Sequence, residues 1–98
     1  MPDEKHREDL RLLLLRALNK NQVLILSEIK NIKNESITKI LKRISFSNDI
    51  PLSTLKLNAK ILKGLNLVKF GNNSYFQAAR STDFGKFVLK IIGGEIND

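Results

Sequence analysis

The stretch PLSTLKLNAKILKGLNLVKF, residues 51–70, contains four lysines, and three of them recur at positions 56, 60 and 63. On a helix this spacing aligns their ammonium groups along one face, and such a row binds the phosphates of a polyanion. A row of lysines is also typical of a face that contacts only water. The distribution of charge along the chain, and the helices and strands that position the lysines, help to decide between a phosphate-binding face and a solvated one.

The formal net charge of +7 is concentrated in the middle of the 98-residue chain. Residues 30–69 hold nine basic and two acidic side chains, whereas residues 1–29 and residues 70–98 each sum to zero. A concentrated positive field attracts a polyanion, with nucleic acid or an anionic membrane surface as the main candidates. A lysine-rich surface that maintains solubility is the alternative.

Several kinds of chemistry have no residues to support them. The chain has no cysteine, which excludes thiolate metal sites, redox pairs and thiol nucleophiles. His6, the only histidine, lies in a charged N-terminal stretch, the carboxylates are scattered, and no glycine-rich phosphate loop is present. We therefore expect no enzyme, no metal and no cofactor. The longest hydrophobic runs, residues 12–15 and 23–26, are far too short to span a membrane, so we expect a soluble cytoplasmic protein. The isoleucines that helix 36–45 could insert into a lipid surface are expected to form the core instead, so we expect no membrane partner.

The spacing of apolar residues predicts a single mainly helical (α+β) domain over residues 1–98, with one small β-hairpin. The predicted helices are residues 8–19, 36–45, 52–65 and 82–92, and the hairpin spans residues 67–80. LVKF and YFQAA are the expected strands, with GNNS as the turn between them. The structure of residues 20–35 is left open: QVLIL fits either a buried strand or a helical turn, and Ser27 is then a candidate cap for a short helix.

The residues at the helix ends and on the first helix carry further predictions. Asn66 tolerates the left-handed conformation that stops a helix. Ser81 or Thr82 is expected to cap the last helix, and Gly93-Gly94 to end it. Leucines cover so much of helix 8–19 that it is either deeply buried or shared with another subunit. We favour the second interpretation, which predicts a homodimer.

The ordered motifs SITKILKRI, SNDIPLSTLKLNAKILKGLNLVKF and STDFGKFVLKII resemble a winged helix-turn-helix domain of the microbial transcription regulators. They are near the MarR-type and ArsR-type groupings and their small archaeal relatives. In that pattern a helix and a turn precede Ser-Thr-hydrophobic at the start of a recognition helix, which ends in Gly-Leu-Val before a hairpin wing. The last motif is similar to the Leu-Thr-x-x-Gly-x-x-hydrophobic helix that follows the wing. The resemblance covers residues 36–92.

The resemblance implies a protein that binds double-stranded DNA and either regulates transcription or organises the chromosome. Helix 52–65 would enter the major groove as the recognition helix, and the wing would lie near the neighbouring phosphates or the minor groove. The implied contact residues are Ser53, Thr54, Lys56, Asn58, Lys60 and Lys63 on the helix, and Lys69, Asn72, Asn73 and Arg80 on the wing.

Two features depart from the family pattern. Asn66 replaces the usual glycine, which is tolerable because asparagine also adopts left-handed conformations. Leu57 and Ile61 fall on the face that should meet DNA. They can contact thymine methyl groups, be covered by residues 20–35, or bind a protein partner. The last account gives the alternative function, a winged-helix interaction module of a larger assembly.

Overall fold

The computed structural model describes residues 4–71 and 77–93. Within these residues the chain is mainly helical, with five helices and one pair of antiparallel strands. The elements are α1 (Glu4–Ala17), α2 (Lys20–Asn31), α3 (Ile37–Asn48), α4 (Leu52–Gly64), β1 (Val68–Lys69), β2 (Arg80–Ser81) and α5 (Asp83–Ile92). None of the helices in the described ranges is long and apolar enough to cross a membrane.

Helix α2 occupies most of the stretch, residues 20–35, in which the sequence left strand and helix open. A strand at QVLIL is wrong, and Ser27 lies inside the helix rather than at its start. The cap is Asn19, whose side-chain oxygen accepts from the Gln22 N–H at 2.8 Å, while the Gln22 side chain accepts from the Asn19 N–H at 3.0 Å. This reciprocal capping box satisfies backbone donors at the first turn of α2. It also explains why α1 ends at Ala17, earlier than predicted.

One hydrophobic core joins the helices and the strands. The largest fully buried side chains are Ile25, Leu26, Ile29, Ile40, Ile44, Leu55, Leu62, Val68 and Val88. Burial of each such side chain contributes about 1.5–3 kcal/mol. Helix α2 packs against α4 and α5, and α1 lies against α5. The Arg11 Nε donates to the Ile92 carbonyl at 3.1 Å, which places a positive charge at the C-terminal end of α5.

Strands β1 and β2 form a two-stranded ribbon in which Val68 pairs with Ser81 and Lys69 with Arg80. The second strand therefore begins later than predicted, because YFQAA ends at residue 79 and β2 begins at Arg80. Residues 77–79 of YFQAA are not strand, and residues 75 and 76 lie outside the described residues. The aromatic run favoured the earlier position because aromatic residues are enriched in strands. The Ala79 N–H donates to the Glu35 carbonyl at 2.8 Å, so the segment before α3 lies along the outer edge of the ribbon.

The start of α5 fits closely over the residue that precedes β1. Of the two predicted caps it is Thr82 that acts, because its hydroxyl oxygen accepts from the Gly85 N–H at 2.9 Å. A Cβ at Gly85 would overlap the carbonyl oxygen of Leu67, so this approach of α5 requires glycine. The helix ends at Gly93 as predicted, and Gly94 lies outside the described residues.

Candidate functional site

The ends of α4 are fixed by two residues with left-handed backbone. Asp49, at φ 54°, ends α3, and Pro51 then begins α4 with its carbonyl accepting from the Thr54 N–H at 3.1 Å. At the other end Asn66 has φ 64°, which confirms the prediction for this residue. The Leu67 N–H donates to the Leu62 carbonyl and the Asn66 N–H to the Lys63 carbonyl, both at 3.0 Å. This pair of bonds closes the helix as a Schellman motif does.

The packed side of α4 consists of four buried residues, Leu55, Asn58, Ala59 and Leu62. Three are apolar and lie in the core, but Asn58, with 6% exposure, is polar. Its Oδ1 accepts from Asn19 Nδ2 at 2.9 Å and from Gln22 Nε2 at 3.1 Å, while its Nδ2 donates to the Thr54 carbonyl at 2.8 Å. These amides join α4 to the capping box of α2. The prediction that Asn58 contacts DNA conflicts with this burial, and we remove the residue from the contact set.

The open side of α4 carries three lysines in a line, and we call Lys56, Lys60 and Lys63 the basic row. All three are exposed. The Lys63 ammonium lies 4.6 Å from the centre of the Phe70 ring, a cation–π distance that places this edge of α4 beside the ribbon. Among the described residues neither Lys56 nor Lys60 has an acidic partner, so their charges are available to an anion in solution.

A second line of residues on the open side is apolar, and we call Leu57, Ile61 and Leu65 the apolar stripe. Their exposed fractions are 61%, 41% and 50%, although each is a large hydrophobic side chain. The stripe follows the spacing i, i+4, i+8 and borders Asn58, which faces the turn between α1 and α2. Residues 20–35 leave both Leu57 and Ile61 exposed, so the account in which this segment covers them is wrong.

The remaining predicted contact residues are distributed around α4. Ser53 is exposed and Thr54 is half-buried on the helix, and Lys69 and Arg80 are exposed partners across the ribbon. Asn72 and Asn73 lie outside the described residues. Ser53 therefore shares the open side of α4 with the basic row, and Lys69 and Arg80 are cross-strand neighbours on one face of the ribbon.

The outer surface of α3 differs from that of α4 because two of its three cations, Lys39 and Arg43, have an acidic partner. The Arg43 Nη2 lies 2.8 Å and 2.6 Å from the two carboxylate oxygens of Glu35, and Lys39 Nζ lies 3.7 Å from one of them. The hydrogen bond from Arg43 holds the pKa of Glu35 below its usual value, and the same contact raises the pKa of Arg43. Glu35 thus offsets part of the charge of residues 30–69, and the uncompensated part includes the basic row.

Two features of the structure, one buried and one on the surface, were not identified from the sequence. The hydrogen bonds of Asn58 join residues 39 and 36 positions apart, and no local pattern indicates them. Phe46 on α3 is 91% exposed, and the helical repeat, which places it opposite Ile40 and Ile44, could have predicted this exposure.

Comparisons of the chain with protein families, with curated protein sequences and with solved structures found no match. We therefore infer function from the arrangement of these side chains.

Proposed function

We propose that this protein is a winged helix-turn-helix domain that binds double-stranded DNA through the open side of α4. Helices α3 and α4, joined by the turn at Asp49 to Pro51, are the helix-turn-helix, and the ribbon is the wing. The observation that carries the proposal is the basic row, whose Lys56 and Lys60 have no acidic partner in the described residues. Phosphates are the ligand that such a row attracts most strongly.

The ribbon supports the same proposal because it carries two further exposed cations. Lys69 and Arg80 are cross-strand neighbours and both are exposed. With α4 in the major groove, these two cations would lie near the adjacent phosphates. Contacts of this kind position a protein on DNA without reading its sequence. The protein would regulate transcription or organise the chromosome by occupying its site.

Charge reversal on the basic row tests the proposal. The measurement is fluorescence anisotropy of a labelled random-sequence duplex at several salt concentrations. Lys56→Glu with Lys60→Glu should abolish binding at moderate salt, and the single variant Lys60→Glu should reduce the salt slope by about 1. Lys86→Glu, an exposed lysine of α5, is the matched control because it changes the net charge equally. Equal losses for Lys60→Glu and Lys86→Glu would contradict the proposal, as would no duplex binding by the wild type at low salt.

We also propose that the protein acts as a homodimer through α1. Leu12 and Leu15 are 50% and 41% exposed on this helix, with Glu8 exposed near one end and Arg16 near the other. An antiparallel pair of α1 helices would place Glu8 of one protomer near Arg16 of its partner. Sedimentation equilibrium should give a dimer for the wild type and a monomer for Leu12→Glu, with Leu57→Glu as a control that stays dimeric. A monomeric wild type would exclude the dimer.

The apolar stripe favours one alternative function, a winged-helix interaction module of a larger assembly. Leu57 and Ile61 would then hold a protein partner rather than DNA. Leu57→Ser with Ile61→Ser separates the two functions. In an interaction module these changes disrupt the complex and leave DNA affinity unchanged, whereas in a DNA-binding protein that uses this side they lower DNA affinity.

A further inference from the structure

The apolar stripe and the basic row lie side by side along the same open side of α4. The stripe contributes three large hydrophobic side chains, each at least 41% exposed, and Gly64 lies between the two lines with open space around it. A single occupant of this side must therefore offer negative charge along one edge and apolar groups along the other. Duplex DNA has both, in its phosphates and in the methyl groups of the major groove.

Thymine is the base that carries this apolar group. Its C5 methyl projects into the major groove, while the other groove-edge groups of the four bases donate or accept hydrogen bonds. Leu57 and Ile61 have no polar atom in their side chains and can recognise nothing else on a base edge. On the helical repeat Leu57 lies nearly opposite the buried Leu55, so it projects furthest from the core.

We infer that Leu57 and Ile61 contact thymine methyl groups and give the protein a preference for A·T-containing duplexes. The inference rests on the proposed duplex binding and specifies which bases that binding selects. Lysines of the basic row would contact phosphates and supply affinity, whereas the apolar stripe would supply selectivity. The polar side chain of Asn58, which could have read adenine, is engaged by Asn19 and Gln22 inside the protein.

Duplexes that differ only by the methyl group test the inference. The probes are an alternating A·T duplex, the same duplex with every thymine replaced by deoxyuridine, an alternating G·C duplex, and the last with every cytosine methylated at C5. Each pair has identical phosphates. The wild type should bind the thymine duplex more tightly than the uracil duplex by about fourfold for each methyl group contacted. Methylation of cytosine should strengthen binding in the same way.

Variants assign the preference to the stripe. Leu57→Ala with Ile61→Ala should bind the thymine and uracil duplexes equally, and circular dichroism should show unchanged helicity because both side chains are exposed. Phe84→Ala, which removes an exposed apolar side chain from α5, is the matched control and should keep the wild-type preference.

The outcomes separate this inference from the proposed function. Salt-dependent binding with equal affinity for the thymine and uracil duplexes would overturn the inference and leave the proposed duplex binding intact. A thymine preference that persists in Leu57→Ala with Ile61→Ala would also overturn it. Failure of the wild type to bind any of the four duplexes at low salt would overturn both. The wild-type comparison is decisive even if the double variant does not fold.

Discussion

The packed and open sides of α4 are built from neighbouring residues, but side chains on the packed side are buried and those on the open side are exposed. On the packed side Leu55 and Leu62 have 0% exposure, and every polar atom of the Asn58 side chain has a partner inside the chain. On the open side Leu57 is 61% exposed and Lys56 has no acidic partner among the described residues. The packed side specifies how α4 sits in the fold, and the open side is left to molecules other than this chain.

The largest expected effect is the difference in lost stability between alanine variants of two leucines, Leu55 on the packed side of α4 and Leu57 on the open side. Leu55→Ala should lower the free energy of unfolding by about 2–5 kcal/mol because it opens a cavity in the core. Leu57→Ala should lower it by less than about 0.5 kcal/mol because the side chain is already largely in water. Urea denaturation followed by circular dichroism measures both. Equal losses would mean that Leu57 is packed against the protein and would remove the distinction.

Asn58 sharpens the comparison because a polar residue on the packed side should affect stability and not binding. Asn58→Ala leaves the Asn19 and Gln22 amides without their shared acceptor, and the free energy of unfolding should fall by about 1–3 kcal/mol. Ser53→Ala, on the open side, should change it by less than about 0.5 kcal/mol. At a temperature where both variants are folded, Asn58→Ala should bind duplex DNA as the wild type does. A selective loss of DNA affinity would return Asn58 to the contact set.

A substitution at Gly64 should have a smaller effect on stability, and one of opposite sign, because it should stabilise the protein. An added Cβ would meet nothing within 4 Å, and alanine loses less conformational freedom in a helix than glycine does. Gly64→Ala should therefore stabilise the protein by about 0.5–1 kcal/mol. The measurement is the midpoint of thermal unfolding. A lower midpoint would show that this part of α4 is covered.

The smallest expected effect on stability comes from the ion pair between Arg43 on α3 and Glu35, which, within the part of the chain that the structure describes, has no counterpart for Lys56 and Lys60 on α4. Because the Arg43 hydrogen bond lowers the pKa of Glu35 in the folded state, the stabilisation is present above the ordinary pKa of a carboxyl group. It is lost as the pH falls through the lowered pKa, when the folded state takes up the proton. Glu35→Gln should therefore lower the thermal midpoint slightly at neutral pH and match the wild type in acid. A difference that persists in acid would point to lost packing instead.

Much of the helical architecture could be predicted because single-face periodicity is a local property. Thr82, one of the two predicted caps, does cap α5, and the predicted stop at Asn66 was right for the reason given. Single-face periodicity could not identify helix α2. In QVLIL every residue after the glutamine is apolar, and such a run has no period that distinguishes a strand from a helix. Its cap, Asn19, was assigned to the end of the preceding helix.

The candidate site was predictable where exposure follows from helical geometry alone. The helical repeat placed the basic row, Leu57 and Ile61 on the outer face of α4, and all five are exposed. It failed at Asn58 because burial of a polar residue depends on partners from another helix. It also located the second strand too early, since pairing of Arg80 and Ser81 with β1 is set by register rather than by composition.

The hydrogen bond from Ala79 to Glu35 has a consequence for how the protein behaves at high concentration. An isolated ribbon presents unpaired N–H and C=O groups along its edges, where strands from other molecules can add and start aggregation. The Ala79 N–H on the outer edge of the ribbon is already paired with the segment that leads into α3. The edge is therefore closed to strand addition at this point without a third full strand.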